Sequence, residues 1–190
     1  MAPGAEARQA AGVVLSDRAS AGEYVDRSGP VLRRFLAAWG LDVRAVDVIP
    51  DAPARLVALL DSWAAEGVRL VLTSGGTGIG PRDRTPEALD GWAELRVPGV
   101  GEWMRAESAK HTSSGWLSRG GAWVKGRTVV IALPGSPKAL EEILPGLAPI
   151  ALHALEMAEG EGHGGVGSRK SGVGRGESKV GSRKSRVGRR

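Results

Sequence analysis

The run from Thr73 to Glu87, TSGGTGIGPRDRTPE, has the residue types most directly suited to chemistry. Gly75, Gly76, Gly78 and Gly80 leave the backbone uncovered and allow positive φ. Successive exposed N–H groups then form a concavity that suits phosphate oxygens, and the hydroxyls of Ser74 and Thr77 add donors. The run is not a Walker A loop, because no Gly-Lys-Ser/Thr follows. Nor is it a dinucleotide-binding fingerprint, because the third glycine is absent at the required spacing. A tight strand-to-helix turn rarely needs four glycines and two hydroxyls, so anion binding is the favoured reading.

Arg82 and Asp83 leave the loop together. A carboxylate beside a phosphate cradle is repulsive unless a cation lies between them. Asp83 is therefore a candidate Mg²⁺ ligand, since this ion takes one or two carboxylates plus phosphate oxygens. An N-cap for a helix over 85–89, or an ion pair with Arg82, explains it equally well on residue type alone. Asp51 follows the strand run 43–49 and sits where a helix N-cap belongs. It could also share a metal with Asp83 across bound phosphates.

Two further loops carry polar groups at strand ends. Ser16 and Asp17 directly follow the first apolar run, where turn and cap roles are common. Pro134, Gly135, Ser136, Pro137 and Lys138 combine a glycine, a hydroxyl and a cation at a helix start, where anions are attracted. Lys138 could supply a point charge or remain a solvated lysine. His111, His153 and His163 show no ligand spacing and read as structural or surface residues.

The elements that must position these loops alternate. Strand signals cover 11–15, 43–49, 70–73, 123–124 and 128–133, the last pair turning at Gly126. A helix runs from Ser28, as a cap, through Trp39, with Gly40 as its stop. Leu56, Leu59, Leu60 and Trp63 recur on one helical face that ends at Gly67. Residues 87–110 read as helical pieces broken at Pro98-Gly99, and 138–144 and 150–157 read as separate helices. Repeated β-α-β order implies an α/β fold with a mostly parallel sheet and helices on both faces. Ligands in such sheets bind beyond the carboxyl ends of the strands, where all three loops fall.

Composition limits the rest. A chain of 190 residues with 42% hydrophobic content supports one domain with a real core. The absence of Cys excludes disulfides, thiolate metal sites and a thiol nucleophile. No run is apolar enough to span a membrane, and Met1 to Ala10 lacks the apolar stretch of a secretory signal, so a soluble cytoplasmic protein is expected. Residues 165–190 hold nine Lys and Arg against Glu177 alone, so the formal +5 belongs to a basic tail on a mildly acidic domain. The hexamer VGSRKS occurs at Val166–Ser171 and at Val180–Ser185. This low-complexity composition favours a disordered, solvated tail. Nucleic-acid association is expected only through that tail, if at all, and no aromatic stacking platform is present in it.

SGGTGIGPRDRTPEA, preceded by SDRASAGEYVDRSG and followed by PGVGEWMR, LSR and LPGSPKAL, resembles the MogA/MoaB family of molybdopterin adenylyltransferases, whose domain also occurs in gephyrin. The resemblance covers Gln9 to Glu159, which implies a domain at 9–160 and a tail at 161–190. It implies a three-layer α/β/α domain forming a homotrimer or a hexamer. It also implies binding of Mg²⁺, ATP and molybdopterin, formation of adenylyl-molybdopterin, and release of pyrophosphate. The family's functional aspartates fall on Asp51 and Asp83, as catalytic and metal-holding residues. Its glycine loop falls on Gly75, Gly76, Thr77 and Gly78, and its further contacts on Ser16, Asp17, Ser118, Pro134, Gly135 and Ser136. A molybdate-insertion enzyme would act downstream. The same family resemblance leaves open a non-catalytic molybdopterin-binding or scaffold protein. Three departures stand out: Arg84 replaces a valine of the usual PRDVTPE, Ser113-Ser114-Gly115 replaces a common Thr-Pro pair, and Gly120-Gly121 precedes the next strand.

Overall fold

The computed structural model describes residues 7–160; the basic tail lies outside the described residues. Short β-branched and leucine runs form the strands β1 (Gln9–Leu15), β2 (Asp42–Ile49), β3 (Leu70–Ser74), β4 (Leu95–Val97), β5 (Gly121–Lys125) and β6 (Thr128–Leu133). Between them lie helices α1 (Asp17–Ser20), α2 (Ser28–Ala38), α3 (Pro53–Ala65), α4 (Thr85–Trp92), α5 (Pro98–Ala109) and α6 (Pro137–Ala158), with a 3₁₀ turn at Ser113–Leu117. One sheet has the order β2-β1-β3-β6-β5-β4. β2, β1, β3 and β6 run parallel, and β5 and β4 run antiparallel at one edge.

Strand alternation divides the core in two. Leu70 and Leu72 of β3 point to one face, with Leu32 and Leu36 of α2 and Leu140, Ile143 and Leu147 of α6. Val71 points to the other, with Leu56, Leu60 and Trp63 of α3 and Leu89 and Trp92 of α4. The domain is thus an α/β/α sandwich. Each fully buried leucine contributes roughly 1.5–3 kcal/mol relative to exposure.

Three expectations change. α6 is continuous across Pro145 and Pro149. Each proline removes one backbone donor and costs about 3 kcal/mol in an isolated helix. Here Leu140, Ile143, Leu144, Leu147, Ala151 and Leu155 hold the helix on the sheet and offset that cost. The segment 93–97, read as helical, contains β4 instead, and Pro98 opens α5 rather than breaking a helix. Ser28 does not cap α2. The Asp26 carboxylate accepts from the Ser28 and Gly29 amides at 2.9 and 3.1 Å, and the Ser28 hydroxyl donates to the Gly135 carbonyl at 3.0 Å.

Candidate active site

Pairing across the sheet brings the three loops to one edge. Leu15 lies opposite Ile49, and Val14 opposite Ser74, which in turn faces Leu133. The chain therefore leaves β1, β2, β3 and β6 at nearly the same level.

After β3 the backbone needs glycine for two reasons. Gly75 and Gly76 have φ of +113° and +65°. A Cβ at Gly75 would also lie 2.4 Å from the Leu15 carbonyl oxygen, and one at Gly76 would lie 2.2 Å from Thr85 Oγ1. Thr85 fastens the loop from α4: its hydroxyl donates to the Gly75 carbonyl at 3.2 Å and its amide to Gly76 at 3.1 Å. The Gly75 amide donates to Leu133 at 3.2 Å. The amides of Gly76, Thr77 and Gly78 donate to no protein group among the described residues. Three consecutive unused donors form the kind of concavity that holds an anion.

The hydroxyls of Ser74 and Thr77 do not join that set of donors as the sequence suggested. Ser74 Oγ donates to the Pro134 carbonyl at 3.0 Å, and Thr77 Oγ1 reaches the Leu133 carbonyl at 3.5 Å. Both side chains are buried, so their hydroxyls need partners inside the fold, and the carbonyls at the end of β6 and just past it accept them.

Asp83 is not the cap of α4. The N-cap position is Arg84, and the Asp83 carboxylate turns back to accept the Gly80 amide at 2.9 Å. It lies so close over the loop that a Cβ at Gly78 would come within 2.7 Å of it. Arg82 pairs with Asp17 rather than with its neighbour Asp83. Asp51 is not a cap either, since α3 has Ala52 at that position. Instead, Asp17 and Asp51 hold each other: the Asp51 amide donates to Asp17 Oδ1 at 3.0 Å, and the Asp17 amide to Asp51 Oδ2 at 3.3 Å. Ser16 does take the ordinary capping role, its Oγ accepting the Ala19 amide at 3.2 Å.

Burial, and then the negative charge of Asp83, push the Asp51 carboxyl above its ordinary pKa. The two carboxylates therefore feel each other. Among the described residues, no three acidic or histidine side chains converge as a metal cage. Two interacting carboxylates that leave the remaining positions to phosphate oxygens and water fit Mg²⁺ better than a metal needing an all-protein shell.

A cavity of about 440 Å³ runs along the loop, lined by Gly76, Gly78, Asp83, Ser114, Ser118 and Ser136 among others. Gly75, Thr77, Pro134 and Gly135 also border it. A second cavity of about 290 Å³ shares Ser114, Ser118, Pro134 and Ser136 with the first and adds His111, Lys138 and Glu142. His111, read from the sequence as structural or surface, lines this space with Nδ1 3.8 Å from Glu142 Oε1, and Lys138 Nζ lies 3.8 Å from the same oxygen. The N-terminus of α6 opens nearby with Ser136 making no side-chain cap, so its positive dipole end is unneutralised. Asp51 borders a separate narrow crevice with Arg82 and Arg84.

The structure thus gathers Asp83, the glycine loop, Ser118 and residues 134–136 in one place and puts Lys138 next to it. Ser74 lies beneath the loop, and Asp17 and Asp51 form an adjacent pair. The sequence reading missed Thr85 and Arg119. Arg119 stands beside the recognised Ser118, so the local string carried a hint.

A family model described as "Probable molybdopterin binding domain" matches residues 11–154. A molybdenum cofactor biosynthesis bifunctional protein of Synechococcus elongatus is 40% identical over 154 residues, covering 81% of this chain and 48% of that protein. This chain therefore spans about half the length of that relative. The molybdopterin adenylyltransferase of Escherichia coli is 37% identical over 141 residues, 71% of each chain. The crystal structure of the molybdopterin biosynthesis enzyme MoaB of Thermus thermophilus superposes with a TM-score of 0.75 at 40% identity, over 80% of this chain and 97% of that one.

Proposed function

The chain belongs to the molybdopterin-binding domain family, and we propose that it works in molybdenum cofactor biosynthesis, transferring the adenylyl group of ATP to molybdopterin. The terminal phosphate oxygen of molybdopterin attacks the α-phosphorus of ATP. A new P–O bond forms as the bond to the bridging oxygen breaks, and pyrophosphate leaves with the electron pair. No protein nucleophile is required. The protein brings two anions together and neutralises their charge.

One observation carries this reading: three unused amides, at Gly76, Thr77 and Gly78, beside the Asp83 carboxylate in a cavity continuous with a second polar one. The amides hold nucleotide phosphate oxygens. Asp83 and Asp51 would hold Mg²⁺, which when bound offsets phosphate charge. The serine-lined cavity, with Ser114, Ser118, Ser136, Lys138 and the open end of α6, has the donors and acceptors for a pterin ring and its phosphate. Asp17 acts at one remove, setting Asp51.

Pyrophosphate release from ATP in the presence of purified molybdopterin tests the proposal. Release that depends on both substrates supports it. Molybdopterin binding without release, with ATP present, would make the chain a binding or scaffold protein instead.

The working form we propose is a cytoplasmic homotrimer. Exposed Ile79, Trp116 and Leu117 border one groove together with Glu87, Asp90, Arg96, Arg105 and Arg119, and this mixed face of apolar groups and both charges is the one we assign to a second copy. A molybdate-insertion enzyme is the downstream partner we propose, and the longer relative named as bifunctional supports a second activity beside this domain.

A further inference from the structure

Arg119 makes more contacts to the glycine loop than any residue assigned above. Its Nε donates to the Gly78 carbonyl at 2.6 Å, and Nη2 donates to the Asp83 carbonyl. Nη1 pairs with Glu87 on α4 at 2.5 Å, and the backbone amide donates to the Thr77 carbonyl at 2.8 Å. One residue therefore fastens the loop at 77, 78 and 83 and joins it to α4. Its side chain is only 34% exposed. A planar guanidinium has the fork of donors that such multipoint bonding requires, and an ammonium does not.

The contacts have a direction. Arg119 occupies carbonyls and leaves the amides of Gly76, Thr77 and Gly78 unused. Holding a peptide by its oxygen fixes where the N–H on its far side points. The Arg119 amide on the Thr77 carbonyl sets the Gly78 N–H, and the guanidinium on the Gly78 carbonyl sets the Ile79 N–H. Thr85 does the same for the Gly76 and Thr77 amides through the Gly75 and Gly76 carbonyls. The bond to the Asp83 carbonyl likewise fixes the backbone from which the carboxylate folds back to the Gly80 amide. Arg119 follows Ser118, which borders both cavities. The residue that orients the phosphate loop is thus covalently next to a wall of the other subsite.

We infer that Arg119 is a positioning residue that presets the glycine loop and Asp83 for phosphate and ties their geometry to the occupancy of the neighbouring serine-lined cavity. It touches neither substrate and acts through the carbonyls it holds. The nucleotide-binding part of this inference rests on the proposed function; the ordering of the loop does not. Binding in the second cavity that displaces Ser118 must pull on Gly78 and Asp83, and by linkage nucleotide binding must pull back. The Glu87 carboxyl, held below its ordinary pKa chiefly by its hydrogen bond from Arg119, reports whether the clamp is closed.

The test uses the full chain as wild type, Arg119→Ala and Arg119→Lys. Without any ligand, amide hydrogen exchange at Gly80 and Asp83 should accelerate at least about tenfold in Arg119→Ala, with β6 and α6 unchanged, and the Glu87 carboxyl should titrate higher. Arg119→Lys should restore only part of the protection. With Mg-AMP-PNP, calorimetry should show a loss of affinity of about tenfold or more in Arg119→Ala, and molybdopterin binding should change less. The affinity gain that molybdopterin confers on Mg-AMP-PNP in wild type should shrink in that variant. Unchanged exchange at Gly80 and Asp83 in a folded Arg119→Ala protein overturns the inference, whatever the nucleotide data. Unchanged nucleotide affinity despite a loosened loop overturns it as well. Wild type that binds no Mg-AMP-PNP, with the exchange result as expected, counts against the proposed function and leaves the loop-ordering role standing.

Discussion

The two cavities meet at Ser114, Ser118, Pro134 and Ser136, yet they are built differently. The glycine-loop side is made of backbone: Gly75 and Gly76 in positive φ, unused amides, and carbonyls held by Thr85 and Arg119. The second side is made of side chains on α5, the 3₁₀ turn and α6, with His111 and Lys138 both 3.8 Å from one Glu142 oxygen. A backbone cradle is rigid and suits a group common to every nucleotide triphosphate. A side-chain wall can be altered residue by residue, which suits recognition of one heterocycle. Of the departures noted at 113–115, Ser114 borders both cavities and Gly115 the second, where a Cβ would lie 2.7 Å from Ser108 Cβ.

The comparison can be broken most decisively at Asp83. Asp83→Ala should lower pyrophosphate release by roughly 100- to 1,000-fold, the scale of losing a key electrostatic group, with molybdopterin binding retained. Full turnover in that variant would remove the metal role. Next, Gly76→Ala places a Cβ within 2.2 Å of Thr85 Oγ1 at a positive φ. It should weaken Mg-AMP-PNP binding strongly and lower stability by about 1 kcal/mol or more, read by calorimetry and thermal unfolding. A normal affinity would mean the backbone cradle is not the phosphate site.

His111→Ala acts on the other side, since His111 lines the second cavity and not the first. Losing one hydrogen bond of about 1 kcal/mol should raise the molybdopterin KM about fivefold and leave the ATP KM nearly unchanged. An equal effect on both substrates would erase the distinction between the cavities. A pH titration sharpens it further. Because the folded-state pKa of Asp51 is raised by burial and by Asp83, its ionised form is disfavoured in the fold. Falling pH should therefore relieve that penalty on stability, and it should weaken Mg²⁺ binding at a higher pH than an ordinary carboxylate would. Asp83→Asn should bring the Asp51 titration down, which carbon-detected NMR can follow. The smallest effect is expected for Lys138→Ala: its side chain is 85% exposed, so unfolding free energy should change by less than about 0.5 kcal/mol.

Much of the site was legible because its signals are local. Four glycines with two hydroxyls and an acid within a dozen residues announce a phosphate loop, and strand alternation places that loop at a carboxyl edge. Local reasoning failed where a polar side chain had several partners in reach. Asp51, Asp83 and Ser28 each sit at a capping position in the string, and each bonds elsewhere. Ser74 and Thr77 looked like ligand donors and instead serve the Pro134 and Leu133 carbonyls at the end of β6.

The sequence by itself determined the α/β order, the need for glycine after β3 and the membership of the chain in its family, because these depend on residue type and on spacing within one element. The tertiary structure alone decided that Asp17 and Asp51, 34 residues apart, hold each other, and that Arg119 reaches back 41 residues to clamp Gly78. A polar group seeks whichever partner the packed sheet brings within about 3 Å. That choice is set by strand order and helix docking, which no short string of residues encodes.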